Sequence, residues 1–123
     1  MVVISVIDDD PSAREGVTDL IKTLGFSVHS FASAKDFLNS DQLQHTSCLI
    51  VDMQMPGMTG LELHDKLAAS GFAIPTLLIT AYPDENMLRR ARENGIVCCL
   101  VKPFAEDDFL DCLHSALGQT KQE

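Results

Sequence analysis

A chain of 123 residues suffices for one domain and for burying about two-thirds of the surface its unfolded form exposes. Hydrophobic residues at 46% and charged residues at 22% exclude a disordered chain and describe an ordinary globular mixture. Eighteen acidic against nine basic residues give a formal charge of −9, a field that repels phosphate backbones and argues against nucleic-acid binding by this chain itself, yet favours divalent cations wherever carboxylates converge.

The first predicted element is a strand from Val2 to Ile7, an apolar run broken only by Ser5. Asp10-Pro11 then caps and starts a helix whose buried stripe is Val17, Leu20, Ile21 and Leu24, with Gly25 as its stop. A second strand is expected over Phe26 to Phe31, and Ser33 with Asp36 resembles an N-terminal capping box for the helix after it. The third strand, Cys48 to Val51, leads through Asp52-Met53-Gln54-Met55-Pro56-Gly57 to a helix opened by the capping box Thr59 and Glu62. The fourth strand is Thr76 to Ile79; Asp84 caps the helix that runs through Leu88 and Ala91 to Gly95. The fifth strand, Ile96 to Val101, precedes a last helix carrying Phe109, Leu110, Leu113 and Leu117, which Gly118 ends.

Short apolar runs of this kind suit central strands of a parallel sheet covered on both faces. Five βα repeats with right-handed crossovers make an α/β, doubly wound sheet with helices on both faces. Residues 1–118 form the predicted domain and residues 119–123 a polar tail or the start of a linker. No apolar run approaches the roughly 20 residues that span a bilayer. MVVISVIDDD also lacks the basic residue and long apolar stretch of a secretion signal, so no membrane partner and a cytoplasmic location are expected. Cys48, Cys98, Cys99 and Cys112 have no CxxC spacing and stand in apolar stretches. They read as small buried hydrophobes in a reducing compartment rather than as metal ligands or disulfides, with Cys98 and Cys99 on opposite faces of a strand.

Ligands of an open parallel sheet bind beyond the carboxyl ends of its strands, at the switch in strand order. Strand one delivers Asp8, Asp9 and Asp10 there, strand three Asp52, strand four Thr80-Ala81 and strand five Lys102-Pro103. Each feature alone has a plain explanation: acidic residues favour a helix N-terminus, a threonine can simply begin a loop, and most lysines are solvated. Their meeting at one edge is harder to explain that way. Carboxylates a few ångströms apart repel by about 4 kcal/mol per pair at a near-surface dielectric, so a cation is needed. Oxygen ligands without His or Cys select Mg²⁺, which keeps waters and accepts a phosphate oxygen. A carboxylate beside it is a possible nucleophile toward a phosphoryl group, and Thr80 and Lys102 can bind the phosphoryl oxygens.

VIDDDPS, LIVDMQMPGMTG, LLITA and LVKPF, in this order and spacing, resemble the receiver domain of two-component response regulators over residues 2 to 118. The resemblance implies a flavodoxin/CheY-like sheet of order 2-1-3-4-5 with five helices. It implies that Asp52 is the phosphoacceptor and that the partner is a sensor histidine kinase. Asp9 would ligate Mg²⁺ directly, Asp8 mainly through water, and the backbone carbonyl of Gln54 would complete the protein's ligands with Asp52. Thr80 and Lys102 match the switch hydroxyl and the phosphate-pairing lysine, with Lys102-Pro103 as a cis bond, and Pro56 and Gly60 fit the loop into the third helix.

VHSFASAKDFL further resembles receivers that precede a LuxR-type helix-turn-helix, which implies transcription regulation by a longer protein; a stand-alone receiver acting by protein contact is the alternative. Two positions depart from the family. Cys99 stands where an aromatic switch residue is common, and Tyr82 stands near the approach of hydrolytic water, where it would alter dephosphorylation. Arg89, Arg90 and Arg92 on the fourth helix and Asp107, Asp108 and Asp111 on the fifth suit a phosphorylation-dependent homodimer through the face those helices form with strand five.

The chain is thus expected to be a signalling domain and not an enzyme. A haloacid-dehalogenase-type phosphohydrolase would use Asp8 and Asp10 as its DxD pair. Pro11 and Ser12 follow wrongly for it, and about 20 residues after Lys102 leave no strand for its final acidic pair. A flavodoxin-like carrier would need a hydroxyl-rich phosphate loop where Asp8, Asp9 and Asp10 stand.

Overall fold

The computed structural model describes residues 2–120, and the alternation expected from the sequence is present throughout. Its elements are β1 (Val3–Ile7), α1 (Pro11–Thr23), β2 (Ser27–Phe31), α2 (Ala34–Leu38), β3 (Cys48–Asp52), α3 (Gly60–Ala69), β4 (Thr76–Thr80), α4 (Glu85–Glu93), β5 (Cys98–Val101) and α5 (Glu106–Thr120). A 3-10 turn, Asp41–Gln44, lies between α2 and β3. The sheet is parallel, in the order β2-β1-β3-β4-β5.

The helix ends follow the local chemistry. The Asp10, Ser33 and Asp84 side chains accept from the backbone N–H of Ser12, Asp36 and Asn86. Thr59 and Glu62 form a complete capping box. Gly25 and Gly95 follow α1 and α4 with φ near +90°, the left-handed turn-off that glycine adopts without steric cost. Gly118, expected to end the last helix, does not, since α5 continues to Thr120. The expected tail therefore begins within α5, and its residues 121–123 lie outside the described residues.

Strand alternation sorts the core into two layers. Ile4, Val6, Cys48, Ile50, Leu77, Ile79 and Leu100 face a layer completed by Ile21 of α1 and Phe109 and Leu113 of α5. Ile7, Leu49, Val51 and Leu78 face the other, with Phe37, Leu61, Leu67 and Met87 from α2, α3 and α4. All residues of β3 and β4 are buried, as a doubly covered strand requires. β2 and β5 stand at the two ends of the sheet, as the expected order 2-1-3-4-5 requires. As an edge, β2 keeps Ser27, His29 and Ser30 exposed.

The cysteines need a second correction. Cys98 and Cys99 do point into opposite layers, and Cys48 is a buried free thiol whose pKa burial pushes up to about 12. Cys98, however, is disulfide-bonded to Cys112, with Cα atoms 5.8 Å apart. Their sequence separation of 14 matches no recognisable motif; α5 packing over β5 brings the pair together, a tertiary event that spacing does not encode.

Candidate functional site

The two-residue period of the strands decides which side chains meet. Asp8 continues the series Ile4, Val6; Asp52 continues Cys48, Ile50; Lys102 continues Cys98, Leu100. All three therefore project on the α1/α5 side at the carboxyl end of the sheet. Thr80 shares the parity of Leu78 and leans the other way.

Carboxylate oxygens of Asp8, Asp9 and Asp52 lie within 4.8 Å of one another, with Asp8 and Asp52 buried and Asp9 exposed. Lys102 Nζ is 3.5 Å from Asp52 Oδ1 and 3.6 Å from Asp8 Oδ2. One ammonium thus serves two of the three carboxylates, which leaves the ionised cluster two uncompensated negative charges. Burial, then the charge of Asp8, push the Asp52 pKa up to about 6 against the opposing pull of Lys102. Asp52 Oδ1 is buried and, among the described residues, has no hydrogen-bond donor. A buried anionic oxygen without a donor is costly, and three hard oxygens with residual negative charge form a donor set that fits a small divalent cation.

The β1–α1 loop is fixed from several sides. Asp8 N–H donates to the Phe31 carbonyl, Asp10 N–H donates to Asp8 Oδ1, and Arg14 Nη1 donates to the Asp8 carbonyl at 2.7 Å. Sequence reasoning missed Arg14, whose only signal is its place one turn into α1. The loop after Asp52 is fixed by close packing. Gly60 N–H donates to the Met53 carbonyl, and a Cβ on Gly60 would stand 2.7 Å from the Asp52 carbonyl oxygen and from Leu78 Cδ1. Lys102-Pro103 is cis, as the resemblance implied.

Thr80 is buried and outside the acidic cluster. Its hydroxyl donates to Gln54 Oε1 at 3.1 Å and accepts from Tyr82 N–H at 3.1 Å, while Ala81 N–H donates to the same Gln54 oxygen at 3.3 Å. The side chain of Gln54 was also missed, since the residue was singled out only for its carbonyl. Tyr82 is 74% exposed. Cys99, half-buried in the α2/α3/α4 layer, has its thiol pKa raised by burial against the opposing charge of Arg92.

Comparison with known proteins agrees with this fold. The family model described as response regulator receiver domain matches residues 4–114. Nodulation protein W of Bradyrhizobium diazoefficiens is 37% identical over 98% of this chain and 53% of its own length; the transcriptional regulatory protein FixJ of the same species is 33% identical over 96% and 58%. The solved structure of the response regulator StyR superposes with a TM-score of 0.88 at 39% identity, covering 97% of this chain and 60% of that one. The chain spans a little over half the length of these relatives.

Proposed function

From the premise that the chain belongs to the response regulator receiver domain family, we propose that Asp52 is its phosphoacceptor and that a sensor histidine kinase supplies the phosphoryl group. An Asp52 carboxylate oxygen forms a bond to phosphorus as the phosphorus–nitrogen bond of a phosphohistidine breaks, and the imidazole leaves with that electron pair. The observation that carries this reading is Asp52 Oδ1: buried, without a hydrogen-bond donor among the described residues, and facing the Lys102 ammonium. Asp8, Asp9, Asp52 and the Gln54 carbonyl would hold Mg²⁺, which when bound supplies positive charge against the oxygens collected there.

Lys102 pairs with a phosphoryl oxygen in exchange for its present contact to Asp52, and Thr80 turns its hydroxyl inward to a second. Neither residue turns over a substrate. The domain is a switch and not an enzyme, with residues 1–118 as the receiver core and α5 continuing it to Thr120. Movement of the Thr80 loop and of Lys102 is transmitted to the α4-β5-α5 face, where Arg89, Arg90 and Arg92 on α4 and Asp107, Asp108 and Asp111 on α5 are exposed. That face forms a homodimer upon phosphorylation. In the full-length protein it controls a C-terminal DNA-binding domain in the cytoplasm; the chain itself, at −9, binds neither nucleic acid nor membrane.

The test is incubation with Mg²⁺ and acetyl phosphate. Wild type should gain one phosphoryl mass, and Asp52→Asn should gain none. Equal labelling of the variant would overturn the assignment.

A further inference from the structure

We propose that the Gln54 side chain is a positioning residue that holds Thr80 in the resting conformation and must release it for activation. The proposal rests on the role given above to Thr80. It begins with atom identity. Ala81 N–H faces the Gln54 amide, and a backbone N–H can only donate, so the atom it meets is the oxygen. The Thr80 hydroxyl faces that same oxygen and therefore also donates to it. Its acceptor side is occupied by Tyr82 N–H. A hydroxyl has one proton, and here that proton is committed to Gln54. Thr80 can donate to an oxygen on Asp52 only by giving up the bond to Gln54.

The same amide oxygen ties down Ala81, so the two hydrogen bonds fasten the start of the β4–α4 loop to the loop after Asp52. The latch spans 26 residues of sequence and lies beside the acceptor. Gln54 and Ala81 are both exposed, so water replaces the lost partner when the latch opens, and opening is inexpensive. A substitution at position 54 removes the side-chain acceptor and leaves the backbone carbonyl in place. The latch is therefore separable from the metal-binding role proposed for that carbonyl.

The test titrates beryllofluoride, a phosphoryl mimic, in Mg²⁺ and follows the bound state by ¹⁹F NMR. Gln54→Leu should bind about two- to tenfold more tightly than wild type, the worth of one neutral hydrogen bond. In a Thr80→Ala background the same substitution should gain less, since only the bond from Ala81 remains to be lost. Equal or weaker binding by Gln54→Leu overturns the latch, as does a gain undiminished by the loss of Thr80. Wild type itself offers a check free of any folding defect: the Gln54 side-chain amide signals and the Ala81 N–H signal should move on saturation, and unmoved signals overturn the proposal. A wild type that takes up no beryllofluoride removes the phosphoacceptor reading and the latch together. Normal uptake with no effect of Gln54 removes the latch alone.

Discussion

The Lys102 ammonium lies 3.5 Å from Asp52 Oδ1, and it comes from the edge strand while Asp52 comes from the centre of the sheet. The same ammonium is 3.6 Å from Asp8, so it neutralises part of the charge that a divalent cation would otherwise meet. Lys102→Met should therefore bind Mg²⁺ several-fold more tightly. Beryllofluoride binding should weaken by roughly tenfold or more, the worth of a charge-assisted contact. Paired titrations check this, and weakening of both affinities would contradict the division of charge described here.

The raised pKa of Asp52 sets a pH window for stability without metal. Its folded value, about 6, exceeds the ordinary 3.8, so ionisation is harder in the folded state. The stability associated with the protonated carboxyl is complete below about pH 4 and is lost as pH rises through 6. In EDTA, Asp52→Asn should outlast wild type in thermal melts above pH 6, and the gap should narrow toward pH 4. A gap that widens on acidification would reverse the sign of the shift.

Asp9 is the exposed member of the acidic cluster. Asp9→Ala should leave the fold unharmed and, by removing a repelling carboxylate, raise the apo melting temperature slightly. Phosphorylation by acetyl phosphate should lose its dependence on Mg²⁺ and fall close to background. Unchanged Mg²⁺ dependence would assign the ion to other oxygens.

Dimerisation is read by sedimentation with and without beryllofluoride. Wild type should shift from monomer to dimer, and Arg92→Glu should weaken the dimer, more so at low salt. An unchanged monomer in both conditions eliminates the dimer, and normal dimerisation of the variant eliminates the charge argument.

The Cys98–Cys112 bond predicts that peptide mapping without reductant recovers those two residues linked and Cys48 and Cys99 as thiols. Reduction should lower unfolding stability by up to about 3 kcal/mol, as the chain-entropy model gives for a loop of this size. Four free thiols in freshly isolated protein would show that the bond does not form in the cell.

The strands and caps were legible because each is a local event: an apolar run, an aspartate before a proline, a threonine three residues before a glutamate. The cluster of Asp8, Asp52 and Lys102 was legible because topology alone collects strand ends, and strand parity then aims all three side chains the same way. Gln54 and Thr80 were each noticed separately, but nothing in the spacing of 26 residues says that one amide oxygen meets the other's hydroxyl. The disulfide escaped for the same reason, since it depends on how α5 lies over β5.

Gly60 starts α3 so close to Asp52 that even one extra carbon would collide with the Asp52 backbone. On that flank the helix acts as a wall. On the opposite flank, Lys102 N–H donates to the Thr80 carbonyl, and the Thr80 hydroxyl and Ala81 N–H donate to the exposed side chain of Gln54. A push originating at Asp52 thus meets stiffness on one side and compliance on the other. On the reading proposed above, a change at Asp52 passes more readily to the loop that leads to α4 than to α3.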